Sequence, residues 1–105
     1  MKKKVHRLME ALLHYEPERV YLFGSWAKGE EDELSDLDVV VIKKTHSPFL
    51  DRLREIACLL PVDLGGVDVL VYTPEEFAIM QRQGNAFAEM ISEEALLIYD
   101  QQAEN

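Results

Sequence analysis

Val5, Leu8, Met9, Leu12 and Leu13 recur at three- and four-residue spacing among charged neighbours, so residues 2–14 are expected to form an amphipathic helix. Pro17 closes that unit. Val20 to Phe23 is a short β-branched and aromatic run that stops at Gly24, the pattern of a strand running into a turn. Ser25 is expected to cap one or two helical turns reaching Ala27 and closed by Gly29, and Glu30 to Leu34 reads as a loop. Asp36 to Lys43 is the second strand. Its Val39-Val40-Val41-Ile42 stretch has no polar alternation, which predicts a strand near the middle of the sheet with both faces covered.

Pro48 can open a helix whose Leu50, Leu53, Arg54, Ile56, Ala57 and Leu60 stripe carries it to about Leu59, with Pro61 as the stop. Gly65-Gly66 then turns the chain into a third strand, Val67 to Tyr72. Thr73-Pro74-Glu75-Glu76 reads as an N-cap, a first-turn proline and a capping-box acid, opening a helix through Phe77 and Met80 towards Gln83. Gly84 and Asn85 interrupt it, helix resumes from Ala86 to Ile91, and Ala95 to Tyr99 is a last short strand, with 101–105 frayed. The expected fold class is α/β (α+β), a small mixed sheet of about four strands flanked by helices.

Composition narrows the picture. The chain has 105 residues, the size of one compact domain, and at 48% hydrophobic it can bury a core. Against 11 Lys and Arg stand 20 Asp and Glu, a formal charge of -9. Phosphate backbones are held by basic surfaces that release counterions, so no stable DNA or RNA binding is expected. The short run Lys2 to Lys4 reads as a solubilising helix start, and Lys43 and Lys44 as a strand end in solvent. Cys58, the single cysteine, lies in an apolar stretch and is expected to be a buried small hydrophobe. No apolar run approaches the ~20 residues that span a bilayer and no cleavable leader pattern appears, so the expectation is no membrane and a cytoplasmic location.

The chemistry concentrates in residues 24–38. Gly24 to Gly29 has the first six positions of a P-loop, but Glu30-Glu31 stand where Lys-Ser/Thr would be required, which excludes a Walker site. A strand ending at glycine and entering a helix at serine still exposes backbone N–H groups that can hold a phosphate. Asp36 and Asp38, two apart on a strand, project from one face roughly 6 to 7 Å apart at the backbone. Two unit charges at that separation repel by about 2 to 3 kcal/mol at an effective dielectric of 20. A hard divalent cation, magnesium foremost, offsets that cost; the bland alternative is a pair of turn acids making local Asx- or ST-type bonds. No EF-hand register fits, and His6, His14 and His46 have no zinc-ligand spacing. Nor does Ser25 have a histidine at hydrolase-triad spacing. Trp26 reads as packing before base stacking, and Met80, Phe87 and Met90 as a stripe for the core or a homo-oligomer contact.

GSWAKGEEDELSDLDVVV resembles the signature of the DNA polymerase β-like nucleotidyltransferase superfamily, especially its minimal stand-alone members: a Gly-Ser turn at Ser25, then Asp-x-Asp about eleven residues later in Ser35-Asp36-Leu37-Asp38. The likeness continues through VDVLVY, with one acid at Asp68, and NAFAEMISEEALLIYD, so it covers nearly the whole chain, 1–105, as a single minimal nucleotidyltransferase domain. One position departs: the family commonly has Arg where Lys28 sits, and lysine keeps the charge but loses the bidentate fork. Could these residues meet? Gly24 lies where strand one ends and Asp36 where strand two begins, so the first two strands must run antiparallel. A crossover through helix 48–59 makes strands two and three parallel and brings Asp68 to the same rim.

The resemblance implies a reaction and its parts. Asp36, Asp38 and Asp68 would be catalytic and would ligate magnesium, with two ions expected; Gly24, Ser25 and Lys28 would bind the phosphates of ATP, the substrate. Asp63 is a rival for the third acid, but it precedes the Gly65-Gly66 turn while Asp68 lies inside a strand. So short a chain has little surface left for an acceptor, which would therefore arrive on another chain. Stand-alone relatives are paired with HEPN-type toxins, and some act as antitoxins by moving AMP to a tyrosine of that partner. The alternative is a catalytically weak or inactive antitoxin that neutralises by binding; transfer to a small molecule such as an aminoglycoside is a third reading.

Overall fold

The computed structural model describes residues 3–29 and 36–104. The expected loop at Glu30 to Leu34, Ser35 and the start of the basic run at Lys2 lie outside them. Helix α1 (Lys3–Leu12) passes through a 3-10 turn (Leu13–Tyr15) into strand β1 (Arg19–Phe23). A second 3-10 turn, Gly24–Trp26, follows at once. Strand β2 (Leu37–Ile42), helix α2 (Phe49–Ala57), strand β3 (Val67–Tyr72), helix α3 (Pro74–Arg82), helix α4 (Ala86–Glu94) and strand β4 (Leu96–Asp100) complete the order.

The sheet runs β3-β2-β1-β4, with β1 antiparallel to both β2 and β4 and β2 parallel to β3. Two layers of helix cover it. Val20, Leu22, Leu37, Val39, Val41 and Val71 face α1 and α2, where Val5, Leu8, Leu12 and Ile56 close the larger core. Val40 and Ile42, on the alternate positions, face Phe77, Ala88 and Ile91 of α3 and α4. This two-sided covering is why β2 is apolar without alternation, as its sequence predicts.

Three expectations are corrected. The buried face of α2 is carried by Arg52 and Ile56, while Leu50 is 68% exposed and Arg54 and Ala57 point to water. Arg52 wins the inside because its Nε donates to the Ser47 carbonyl (2.9 Å), Nη1 to the Val71 carbonyl (3.1 Å) and the fork to both carboxylate oxygens of Glu76 (2.7 and 3.1 Å). Cys58 is exposed, because it falls in the turn after α2 ends. Lys43 is half-buried and not a free strand end: its ammonium donates to the Tyr15 carbonyl and lies over the Tyr15 ring, 4.5 Å from the centroid. The capping box is present as expected, with the Thr73 hydroxyl accepting from the Glu76 amide (3.1 Å) and Glu76 accepting from the Thr73 amide (2.8 Å).

Candidate active site

β1 delivers its last residue, Phe23, to the rim, and the chain reverses at Gly24 with φ +74°, a left-handed conformation that glycine adopts without strain. The amides of Ala27 and Lys28 both donate to the Gly24 carbonyl (3.1 and 3.3 Å), and Trp26 is buried in the larger core, so the turn is anchored from below. Ser25 is not an N-cap: the cap position is Phe23, no side-chain cap bond forms, and the helix is one 3-10 turn. The amides of Gly24 and Ser25 have no carbonyl within so short a turn to bond. Lys28 lies exposed just beyond it.

Register builds the rest. Phe23 pairs with Asp38 and Asp38 with Asp68, so these three residues form one row across three strands, on the face that α4 covers. Asp36, two residues before Asp38, lies beside the Gly66 turn, where the Leu37 amide donates to the Gly66 carbonyl (3.0 Å). Two glycines leave room for the two carboxylates. A Cβ on Gly24 would stand 2.5 Å from Asp38 Oδ2, and one on Gly66 only 1.8 Å from Asp36 Oδ1. The expected antiparallel–parallel topology is therefore present, and the rim gathers Gly24, Ser25, Asp36, Asp38 and Asp68.

The Asp38 carboxyl sits above its ordinary range. Partial burial is the main cause, followed by the facing charge of Asp68, a hydrogen bond to Asp68 and the charge of Asp36. Among the described residues no three His, Cys, Asp or Glu side chains are already grouped as a metal-holding set. Asp38 and Asp68 are paired across β2 and β3, and Asp36 rests over Gly66, so three like charges share one rim. The donor chemistry nonetheless fits a hard divalent cation: carboxylate oxygens, on adjoining strands, with glycine cradles behind two of them. Asp63 is elsewhere. It is exposed and accepts a 2.7 Å charged hydrogen bond from Arg7 of α1, which holds its carboxyl below the usual range.

Beside the row is a recess of about 230 Å³ lined by Phe23, Gly24, Ala27, Lys28, Met90 and Glu94. Phe87 meets Phe23 edge to face at 5.6 Å, and Met90 and Glu94 continue the same stripe of α4 one and two turns on. By sequence alone Met90 fits the core or a subunit contact, and nothing in helical spacing singles out Glu94. The signal that points to Glu94 is a pair of acids, Glu93-Glu94, closing a helix at the end where its dipole is negative.

The family model of the nucleotidyltransferase domain matches residues 3–101. The chain belongs to that family. A nucleotidyltransferase domain takes nucleoside triphosphates as substrates and generally works with divalent metals, and the four-stranded mixed sheet with helices on both faces is consistent with the polymerase β-like fold. Among solved structures, a protein of Sulfolobus solfataricus assigned as a nucleotidyltransferase superposes with a TM-score of 0.56 at 18% identity, over 97% of this chain and 91% of that one. At that identity the likeness speaks for a shared fold. No curated protein shows significant similarity to this nucleotidyltransferase. No helix among the described residues is long and apolar enough to cross a membrane.

Proposed function

We propose that this nucleotidyltransferase moves a nucleoside monophosphate, AMP from ATP, to a hydroxyl of a partner protein. The observation that supports it most directly is the row Phe23–Asp38–Asp68 set against the Gly24 turn, which puts phosphate-binding amides and metal-type carboxylates on one rim. Asp36 and Asp38 would hold magnesium, and Asp68 would complete the set for a second ion. When bound, such a cation neutralises charge on the triphosphate and on the departing pyrophosphate. The Gly24 and Ser25 amides and the Ser25 hydroxyl hold the β and γ phosphates, and Lys28 offers its ammonium to the same oxygens as a point charge. The acceptor oxygen attacks the α phosphorus, the bond from that phosphorus to the bridging oxygen breaks, and pyrophosphate leaves. The proton of the attacking hydroxyl passes to the Asp68 carboxylate.

The acceptor is a second chain, a HEPN-type toxin in this reading, silenced by the modification. The formal charge of -9 favours a basic partner surface. Incubating the protein, magnesium, ATP labelled at the α phosphate and the product of the neighbouring gene should label that product. An unlabelled neighbour, with Mg-ATP binding demonstrated in the same tube, would overturn the protein-acceptor reading. Binding without chemistry is the second reading, favoured by Lys28 at the position where the family commonly has arginine. Neutralisation that survives an Asp36→Asn, Asp38→Asn double substitution in cells would establish it.

A further inference from the structure

We propose that the recess between the Gly24 turn and α4 is the nucleoside subsite, with Phe23, Ala27 and Met90 as its apolar floor and Glu94 accepting a hydrogen bond from the nucleoside. This rests on the transferase reading of the rim and adds to it a residue that selects the substrate. Position is the first argument. The recess shares Gly24 with the phosphate turn and Phe23 with the Asp38 row, so it starts one strand away from the carboxylates, on the same face of the sheet. A nucleotide with its β and γ phosphates at Gly24 and Ser25 and its α phosphate at the carboxylate row has its sugar and base to place next to that row, which the recess reaches through Phe23.

Size and lining are the second argument. At about 230 Å³ the recess is smaller than the roughly 300 to 1,000 Å³ that enclose a drug-sized ligand, which suits a ring system and not an entire nucleotide. An aromatic ring, a thioether and a methyl group offer flat, polarisable contact to a heterocycle. The charged part of the lining is the third. Lys28 and Glu94 line one recess, yet among the described residues no ion pair joins them. Glu94 also sits at the C-terminal end of α4, where the helix dipole disfavours a carboxylate and the last turn carries no basic residue. A locally unfavourable charge in the lining of a pocket marks a site of function before a site of stability. Carboxylate oxygens only accept, so Glu94 selects for a donor, either an exocyclic amino group of the base or a ribose hydroxyl.

Equilibrium binding in the presence of magnesium separates the possibilities, using ATP, 2′-deoxy-ATP, purine riboside triphosphate (which lacks the 6-amino group) and inorganic tripolyphosphate, on wild type and Glu94→Ala. Wild type should bind ATP about tenfold more tightly than one of the two analogues, the value of one hydrogen bond to a charged group, and Glu94→Ala should abolish that preference. Loss against the purine riboside identifies the base amino group as the partner of Glu94, and loss against 2′-deoxy-ATP the ribose. Met90→Ala should weaken ATP and leave the ratio of the analogues to ATP unchanged. If tripolyphosphate binds and Glu94→Ala leaves the ATP preferences as they were, the nucleoside subsite is wrong and the phosphate reading stands. If neither ATP nor tripolyphosphate binds wild type, both fall.

Discussion

Gly66 shows how tightly a single residue constrains the rim, since any side chain there would strike Asp36 Oδ1 at 1.8 Å. Gly66→Ala should leave the circular dichroism spectrum native, displace the Asp36 carboxylate and lower transfer at least tenfold; a fully active Gly66→Ala enzyme would show that Gly66 does not fix that carboxylate for the reaction. The two candidate third acids make an equally sharp comparison. Asp68→Asn should abolish transfer with stability unchanged or slightly raised, because it removes a charge facing Asp38. Asp63→Asn deletes only an exposed pair with Arg7, should leave the chemical denaturation midpoint close to that of wild type, and should keep full activity. Activity retained by Asp68→Asn and lost in Asp63→Asn would reverse the assignment. At this scale the sequence was a good guide to Asp38 on the strand, with Asp36 one residue before β2 begins, and to glycines at turns, since both follow from local geometry. It was a poor guide to Cys58 and Glu94, whose surroundings come from where α2 ends and what α4 covers.

Among the elements, α2 and α3 are locked together by one buried guanidinium. Arg52 is 5% exposed and pairs with Glu76, itself the capping-box acid of α3, so a single carboxylate serves both a helix cap and a tertiary bond. The hydrogen bond from Arg52 holds the Glu76 carboxyl below its ordinary range. The folded state therefore binds this proton less readily than the unfolded chain, so the stabilisation is complete above the ordinary glutamate range and is lost as pH falls through the lowered folded value. Glu76→Gln should flatten that acid limb of a stability–pH curve and cost about 1 to 3 kcal/mol at neutral pH, less than a fully buried pair because Glu76 is part exposed. Tyr15 gives the alkaline counterpart. Burial, then the charge of Glu55 and the 3.2 Å hydrogen bond to it, push its hydroxyl up to about 12. The folded state keeps that proton longer than the unfolded chain, so stability is full below pH 10 and falls as pH rises towards about 12. Tyr15→Phe should remove that decline in alkaline denaturation curves. The α2 stripe expected from spacing differs from the buried face for a related reason: Arg52 and Glu76 lie 24 residues apart, and no window of helical spacing sees the partner that lets a charge go inside.

For the molecule as a whole, the acids carry the prediction. If Asp36 and Asp38 hold a divalent cation, magnesium binds the folded chain and not the unfolded one, and at a hundredfold excess over its dissociation constant it adds about 2.7 kcal/mol. The melting temperature of wild type should rise with magnesium, whereas the Asp36→Asn, Asp38→Asn variant should start higher without the ion, having lost like-charge repulsion, and gain little from it. Equal gains in both proteins would place the cation elsewhere. The sequence by itself determined the elements, their order and the identity of the rim acids, because apolar period, capping residues and two-residue spacing are local properties of the chain. Its crossover logic also implied the strand directions. Tertiary structure alone decided which side chains face one another: Asp38 against Asp68 and Phe23, Arg52 against Glu76, Asp63 against Arg7, and Glu94 in the lining of a recess with Lys28. Those pairings depend on sheet register and on the angle at which α4 lies over β1, both set by packing between segments far apart in the chain.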